Sequence, residues 1–328
     1  MRVFLRKTAH EKLKKDMSTG TLFVTKRTGV RDMSIADFII AVFCLIDDEL
    51  KKVLNGRRLR QRGPSPGLQD SEVITMEIVG EFLGKDCDKT IWEYFKSHWM
   101  HFFPKIPDRS NFVRQAANLH VVKRMLQERF SFALGSYADS LHLIDGLPMP
   151  ICKFARAYFS KIFKGDATYG YCAAKKEHYY GFRGHLVISS IGVVTAATFT
   201  EANVDERDVC PELVEKIRGL LLGDKGFMRP ELQDNLAVNG LHLQTPLRGN
   251  MEESRPKEFL GWMKSTRRLI ETVIGQLAER FHIEKIRARD LWHEASRFWR
   301  KLLAHTVCVK LSIEQEHEPL QFERLVTF

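Results

Sequence analysis

Three acidic residues sit where a folded chain does not place a charge without a partner. Asp145 ends the apolar run Leu141-His142-Leu143-Ile144, Asp224 ends Leu220-Leu221-Leu222-Gly223, and Glu271 lies inside the helical pattern Arg267-Arg268-Leu269-Ile270-Glu271-Thr272. A carboxylate at the end of a buried strand is costly unless it is paired or binds a cation. Two strand ends and a helix carboxylate can converge on a hard divalent metal, which wants oxygen ligands. Two such ions about 4 Å apart can hold both the attacking and the leaving oxygen of an in-line phosphodiester displacement, and carboxylates on rigid elements keep that spacing fixed. Asp145 and Asp224 are 79 positions apart, so the fold must bring them together. If their strands are neighbours in one sheet, the strand ends lie about 5 Å apart. Like charges that close raise each other's pKa, and a divalent cation removes the penalty. Taken singly, each acid has a plainer reading: Asp145-Gly146 and Asp224-Lys225-Gly226 as turns, Glu271 as a solvated helix charge paired with Lys or Arg. Taken together, with Arg267 and Arg268 just ahead of Glu271, they favour one shared site.

The elements needed to carry such a site fit in 328 residues, enough for one large domain or two ordinary ones. Apolar residues make up 44% of the chain, so a sizeable core forms and wholesale disorder is excluded. Lys plus Arg outnumber Asp plus Glu by 51 to 41, a net charge of +10 that favours an anionic partner such as nucleic acid. The six cysteines, Cys44, Cys87, Cys152, Cys172, Cys210 and Cys308, contain no Cys-x-x-Cys pair and fit a reducing compartment. The apolar stretch Phe38 to Ile46 is too short for a bilayer, which needs about 20 residues, so no membrane partner is expected. The first thirty-two residues are basic and read as a mobile arm or as sequence upstream of the true start, with Met33 an alternative start.

Residues 34–134 read as helical, with Ser34 capping a helix to about Lys52, Asp70 capping the next, and further helices over 90–102 and 110–134. The character changes after about Ser136. Strands are expected at 141–144, 182–190, 193–200, 220–223 and 241–245, the second and third joined as a hairpin through Ile191-Gly192. Helices are expected at 204–218, 229–238, 257–281 and 291–312. This order predicts an α/β fold, a mixed sheet flanked by helices behind an all-α front. The expected segments are a basic arm (1–32), a helical DNA-binding domain (33–135), a catalytic domain (136–312) and a tail (313–328).

The run Lys175-Lys176-Glu177-His178-Tyr179-Tyr180 interleaves cations with aromatics, so its cations can meet phosphates and a Tyr face such as that of Tyr180 can stack on an unpaired base. Its alternative is a solvated loop with the tyrosines packed on the sheet. Arg57, Arg58, Arg60 and Arg62 form a second basic cluster, either a DNA contact or a solvated linker. Residues 111–119 could open a recognition helix. Trp262, Trp292 and Trp299 fall at helical spacing and are expected in the core.

Five segments in order resemble the bacterial insertion-sequence transposases of the DDE superfamily. They are Leu143-Ile144-Asp145-Gly146-Leu147-Pro148-Met149-Pro150, Tyr179-Tyr180-Gly181-Phe182-Arg183-Gly184-His185-Leu186, Glu201-Ala202-Asn203-Val204-Asp205-Glu206, Leu222-Gly223-Asp224-Lys225-Gly226-Phe227 and Arg267-Arg268-Leu269-Ile270-Glu271-Thr272. The likeness runs from about Met33 to Leu311. It departs from the family's signature around the third acid, with Lys264 in place of a Tyr and Ala278 in place of a Lys, and Arg183 stands where a Lys is common. The resemblance implies an RNase H-like core and a catalytic, metal-binding triad of Asp145, Asp224 and Glu271 holding Mg2+ or Mn2+, two ions together. It further implies DNA contacts through Arg267, Arg268, Lys175, Lys176, Tyr180, Arg183, His185 and Lys225. The activity implied is cleavage at the ends of a mobile element and transfer of the freed 3′-hydroxyl into target DNA. The partners would be terminal inverted repeats, target DNA and further copies of the chain, in a bacterial cytoplasm. Two alternatives remain open at this level: a DNA-binding relative without catalysis, and a nuclease of the same core without strand transfer.

Overall fold

The computed structural model describes residues 33–60, 62–63, 65–173 and 175–327. The basic arm 1–32 lies outside the described residues. Five helices come first: α1 (Ile35–Leu54), α2 (Asp70–Phe82), α3 (Asp88–His98), α4 (Arg109–Asn118) and α5 (His120–Ala133). Ser34 caps α1 as expected, its hydroxyl accepting from the Asp37 amide at 3.2 Å, and Asn55 ends the helix in the left-handed region. Asp70 does not cap α2. It accepts two bonds from Arg60, at 2.9 and 2.6 Å, so one arginine of the 57–62 cluster is committed to the fold. The single helix expected over 110–134 is broken at Leu119 into α4 and α5.

The sheet holds β1 (Leu141–Lys153), β2 (Thr168–Cys172), β3 (Glu177–Ser189), β4 (Val194–Glu201), β5 (Gly219–Leu222) and β6 (Leu241–Gln244). A one-turn helix α6 (Phe154–Ala157) and β2 interrupt the path from β1 to β3. Further helices are α7 (Glu206–Leu213), α8 (Pro230–Val238), α9 (Lys257–Glu279) and α10 (Leu291–Glu314). β1 pairs antiparallel with β3 over nearly its whole length and parallel with β5, which pairs parallel with β6. β2 and β4 lie end to end on the outer edge of β3, β2 against residues 177–181 and β4 against 182–188. Leaving β2 aside, the order β4-β3-β1-β5-β6 is the RNase H-like arrangement. Successive side chains of a strand face opposite ways. Leu143, Leu147, Leu186 and Ile188 accordingly enter a large core shared with the front helices, α9 and α10, while Ile144 and Val187 enter a smaller one under α7 and α8.

Gly181 of β3 lies opposite Pro150 of β1. A Cβ there would stand 2.3 Å from the Met149 carbonyl oxygen and 2.9 Å from the Ile151 amide nitrogen. Both are backbone atoms, so neither can swing away. We expect Gly181→Ala to cost roughly 2–3 kcal/mol, read as a lower melting temperature than the parent chain.

The front helices do not stand apart from the rest. Gln127 and Ser131 of α5 both donate to the Val194 carbonyl of β4, each at 2.7 Å. Helix α10 packs lengthwise against α5 and α2, and almost every residue of α2 from Ser71 to Phe82 is buried. The charges of α2 are met there. Lys123 binds Glu77 at 2.6 Å, Arg300 binds Glu81 at 2.6 Å and Asp88 at 2.5 Å, and Lys301 binds Glu81 at 2.9 Å. Arg300, its charge held by three carboxylates, keeps its proton more firmly than an ordinary arginine, and Asp88 is held well below the usual carboxylate range.

Glu294, near the start of α10, is only 4% exposed, and burial pushes its carboxyl up to about 7 despite Arg297 and Lys301. Raised above its unfolded value near 4.5, the group costs nothing below that pH. Stability drains as pH climbs from there to about 7, by at most about 3 kcal/mol. Glu294→Gln should therefore raise the melting temperature at pH 8 and change it little at pH 4.5, the opposite pH order from a salt-bridged acid.

Candidate active site

Asp145 lies within β1, two residues past Leu143, the last residue paired with β5. Asp224 lies two residues past Leu222, the β5 partner of Leu143. The fold thus brings the two acids to the same end of the β1/β5 pairing, Asp145 within β1 and Asp224 in the turn just past the end of β5. Asp145 accepts one bond, from the Gly146 amide at 2.8 Å, and Asp224 accepts from the Gly226 amide at the start of a 3-10 turn.

A further acid stands with them. Glu206 opens α7 behind its cap Asp205, and a Cβ on Gly146 would meet its Oε1 at 2.5 Å. Its carboxylate thus lies over the backbone next to Asp145, in a space that only glycine leaves open. Arg183, on β3, reaches Glu206 at 3.2 Å. Arg267, on α9, approaches Asp145 at 4.0 Å, while its buried Nε has no acceptor among the described residues. Burial pushes the Asp145 carboxyl up to about 7, with the charges of Glu206 and Asp224 adding to the rise and Arg267 opposing it. Burial also raises Glu206 against the pull of Arg183. Crowded, desolvated carboxylates are the condition a hard cation relieves. Their chemistry suits Mg2+ or Mn2+, yet among the described residues no group of three or more His, Cys, Asp or Glu side chains is arranged to hold a metal ion.

Glu271 is one turn beyond Arg267 on α9, where residues four apart share a face. Its side chain is exposed and makes no ion pair with a described residue. The helix that carries it is anchored through Met263, Ile270, Val273 and Leu277. Arg268 and Lys225 are exposed beside their acids, and Lys175 and Lys176 are exposed before β3. Lys175 is engaged with Glu284.

Two expected DNA contacts face inward. Tyr180 is buried, and its hydroxyl donates to the Phe163 carbonyl at 2.8 Å. His185 is buried too, its Nε2 2.8 Å from the Thr200 hydroxyl, and burial holds its pKa down to about 4, so it is neutral at pH 7. Both sit on β3, which is covered on both faces over this stretch, so each packs inside the fold. Trp262 and Trp292 depart the other way: they are exposed, and of the three tryptophans expected in the core Trp299 alone is buried. Glu206 is the residue sequence reading passed over. Its signal was its place directly after Asp205 in the Ala202-Asn203-Val204-Asp205-Glu206 turn.

No helix among the described residues is long and apolar enough to cross a membrane. No curated protein sequence is similar to this chain. Among solved structures, a piggyBac transposase synaptic complex with hairpin DNA, determined by cryo-EM, aligns at 11% identity and a TM-score of 0.42, over 89% of this chain and 78% of the other. Residues 136–291, from the turn before β1 to the first residue of α10, match the family described as the transposase DDE domain. Over this segment, just under half of its length, the chain is similar to the DDE transposases.

Proposed function

We propose that this chain cuts DNA at the ends of a mobile element and joins the freed 3′-hydroxyl to target DNA. The observation that carries the reading is that Asp145 and Asp224 lie at the same end of the β1/β5 pairing, within a segment that matches the transposase DDE domain. Bound divalent ions, two in the reading we favour, would supply Lewis acidity at the phosphorus and a nucleophile at neutral pH. Asp145 and Asp224 are the residues to hold them, with Glu271 completing the set. Arg267 fixes the Asp145 carboxylate from α9, and Arg183 orients Glu206 beside it. Arg268, Lys225 and Lys176 are exposed cations suited to phosphate contacts. Tyr180 and His185 serve by packing β3. The substrates proposed are terminal inverted repeats and target DNA. The working form is a homodimer or higher assembly on paired ends, in a bacterial cytoplasm. The helical segment 33–135 would add DNA contacts, with segment 136–312 supplying the chemistry.

The test incubates the purified chain with labelled duplex and supercoiled plasmid in Mg2+ or Mn2+. Joined products support the proposal. Hydrolytic products without joining would make the chain a nuclease of the same core, and binding without cleavage in either metal would make it an inactive relative.

A further inference from the structure

The excursion from β1 to β3 carries more exposed aromatic surface than a solvated loop needs. Tyr158 is 86% and Phe159 79% exposed, with Phe154, Tyr169 and Tyr171 about half exposed. Contiguous apolar surface of this kind marks an interaction site. It is ordered. The Phe154 ring lies 5.4 Å from Tyr169 and 5.8 Å from His178, and His178 lies 4.8 Å from its cross-strand partner Tyr171. Tyr169 and Tyr171 are two apart on β2 and so share one face.

The same excursion is strongly cationic. Lys153, Arg156, Lys161, Lys164 and Lys176 are all exposed, and none has a carboxylate within 4 Å among the described residues. Beside it a cavity of about 470 Å³ opens between the end of β1 and the loop after α9, with Lys153, Lys285, Arg287 and Arg289 in its walls alongside Glu284 and Glu294. A Lys175–Glu284 ion pair ties the excursion to that loop.

We propose that this surface is a stacking platform for unpaired nucleotides of the DNA on which the acids act; it rests on the DNA-processing reading above. Free cations between half-exposed rings suit a phosphate backbone whose bases lie flat on aromatic faces. They suit a second copy of the chain poorly, because charged residues are depleted at the centre of protein interfaces. Position gives the platform a place on the substrate. Asp145 pairs with Leu186 and Tyr171 with His178, eight residues along β3. That is about 26 Å, the rise of about eight nucleotides at 3.4 Å each. Single-stranded or unpaired DNA some eight nucleotides from the reacting phosphate would reach the rings.

The experiment measures anisotropy of a labelled single strand and of a blunt duplex of the same sequence, with the full chain in EDTA so that nothing is cut. Replacing both Tyr169 and Tyr171 by Ala should weaken single-strand binding about tenfold or more. Duplex binding should change less than about twofold, since phosphate contacts are kept. Phe at both positions should retain affinity. The rings are exposed, so the melting temperature should hold; if it falls, the more exposed pair Tyr158→Ser and Phe159→Ser gives the same comparison. Unchanged single-strand affinity, or equal loss on both probes, overturns the platform while leaving the DNA reading standing. A change in sedimentation mass with affinity untouched assigns the surface to a second copy instead. A parent chain that binds neither probe defeats the DNA-processing reading itself, and the platform with it.

Discussion

Asp145→Asn should lower strand cleavage by roughly a thousandfold or more while leaving the chain folded. Asparagine keeps the shape, and its carbonyl oxygen can still accept from the Gly146 amide. What it removes is the charge, at the point where β1 passes β5 and two other carboxylates crowd in. A metal-assisted displacement needs that anion to hold its ions. The fold does not, since losing one of several crowded, desolvated anions relieves repulsion. The signature is thus a dead enzyme with an unchanged or higher melting temperature in the absence of metal, measured by single-turnover cleavage beside a thermal melt. Near-normal cleavage would remove Asp145 from the chemistry. Running Glu271→Gln and Glu206→Gln in parallel identifies the third carboxylate. The proposed triad requires the larger loss from Glu271, and a larger loss from Glu206 would move that role to the acid over Gly146.

Arg300→Met should be among the most destabilising single changes the chain can suffer, by about 3–5 kcal/mol. The guanidinium is 1% exposed and bonds Glu81 and Asp88, with Glu77 at 3.5 Å. Removing it leaves buried carboxylates short of counter-charge, and the loss is the cost of those stranded anions rather than the worth of any one pair. Denaturant unfolding of parent and variant gives the difference directly. A double change of Arg300→Met with Glu81→Met should recover part of it, because the second substitution removes one stranded anion. A loss under about 1 kcal/mol would mean that water reaches this network.

Much of the sheet was legible because its signals are local. Apolar runs ending in Asp marked β1 and β5, and a hairpin through Ile191-Gly192 marked β3 and β4. Adjacent strands then followed from what two acids need. The remainder was illegible for reasons that differ by residue. Glu206 can lie against the backbone beside Asp145 because Gly146 has no side chain, and nothing in sequence joins positions sixty apart. Tyr180 and Tyr169 look alike in sequence and pair across the strands on one face, but β2 is the edge strand, so Tyr169 is left half exposed while Tyr180 on β3 is covered. The break at Leu119 carries no glycine or proline, so one continuous helix was expected across it. Nothing local announced that α2 is wrapped on every side, since the partners of Glu77 and Glu81 come from α5 and α10.

Helix α10 has a consequence for how the protein is made. Arg300 bonds Asp88 across 212 positions. Ribosomes add about 5–20 residues per second, so the nascent front helices wait roughly 10–40 s for the cation that completes them. Throughout that interval α2 offers a chaperone or a protease an unfinished acidic seam, and a chain interrupted before Leu291 is expected never to close it.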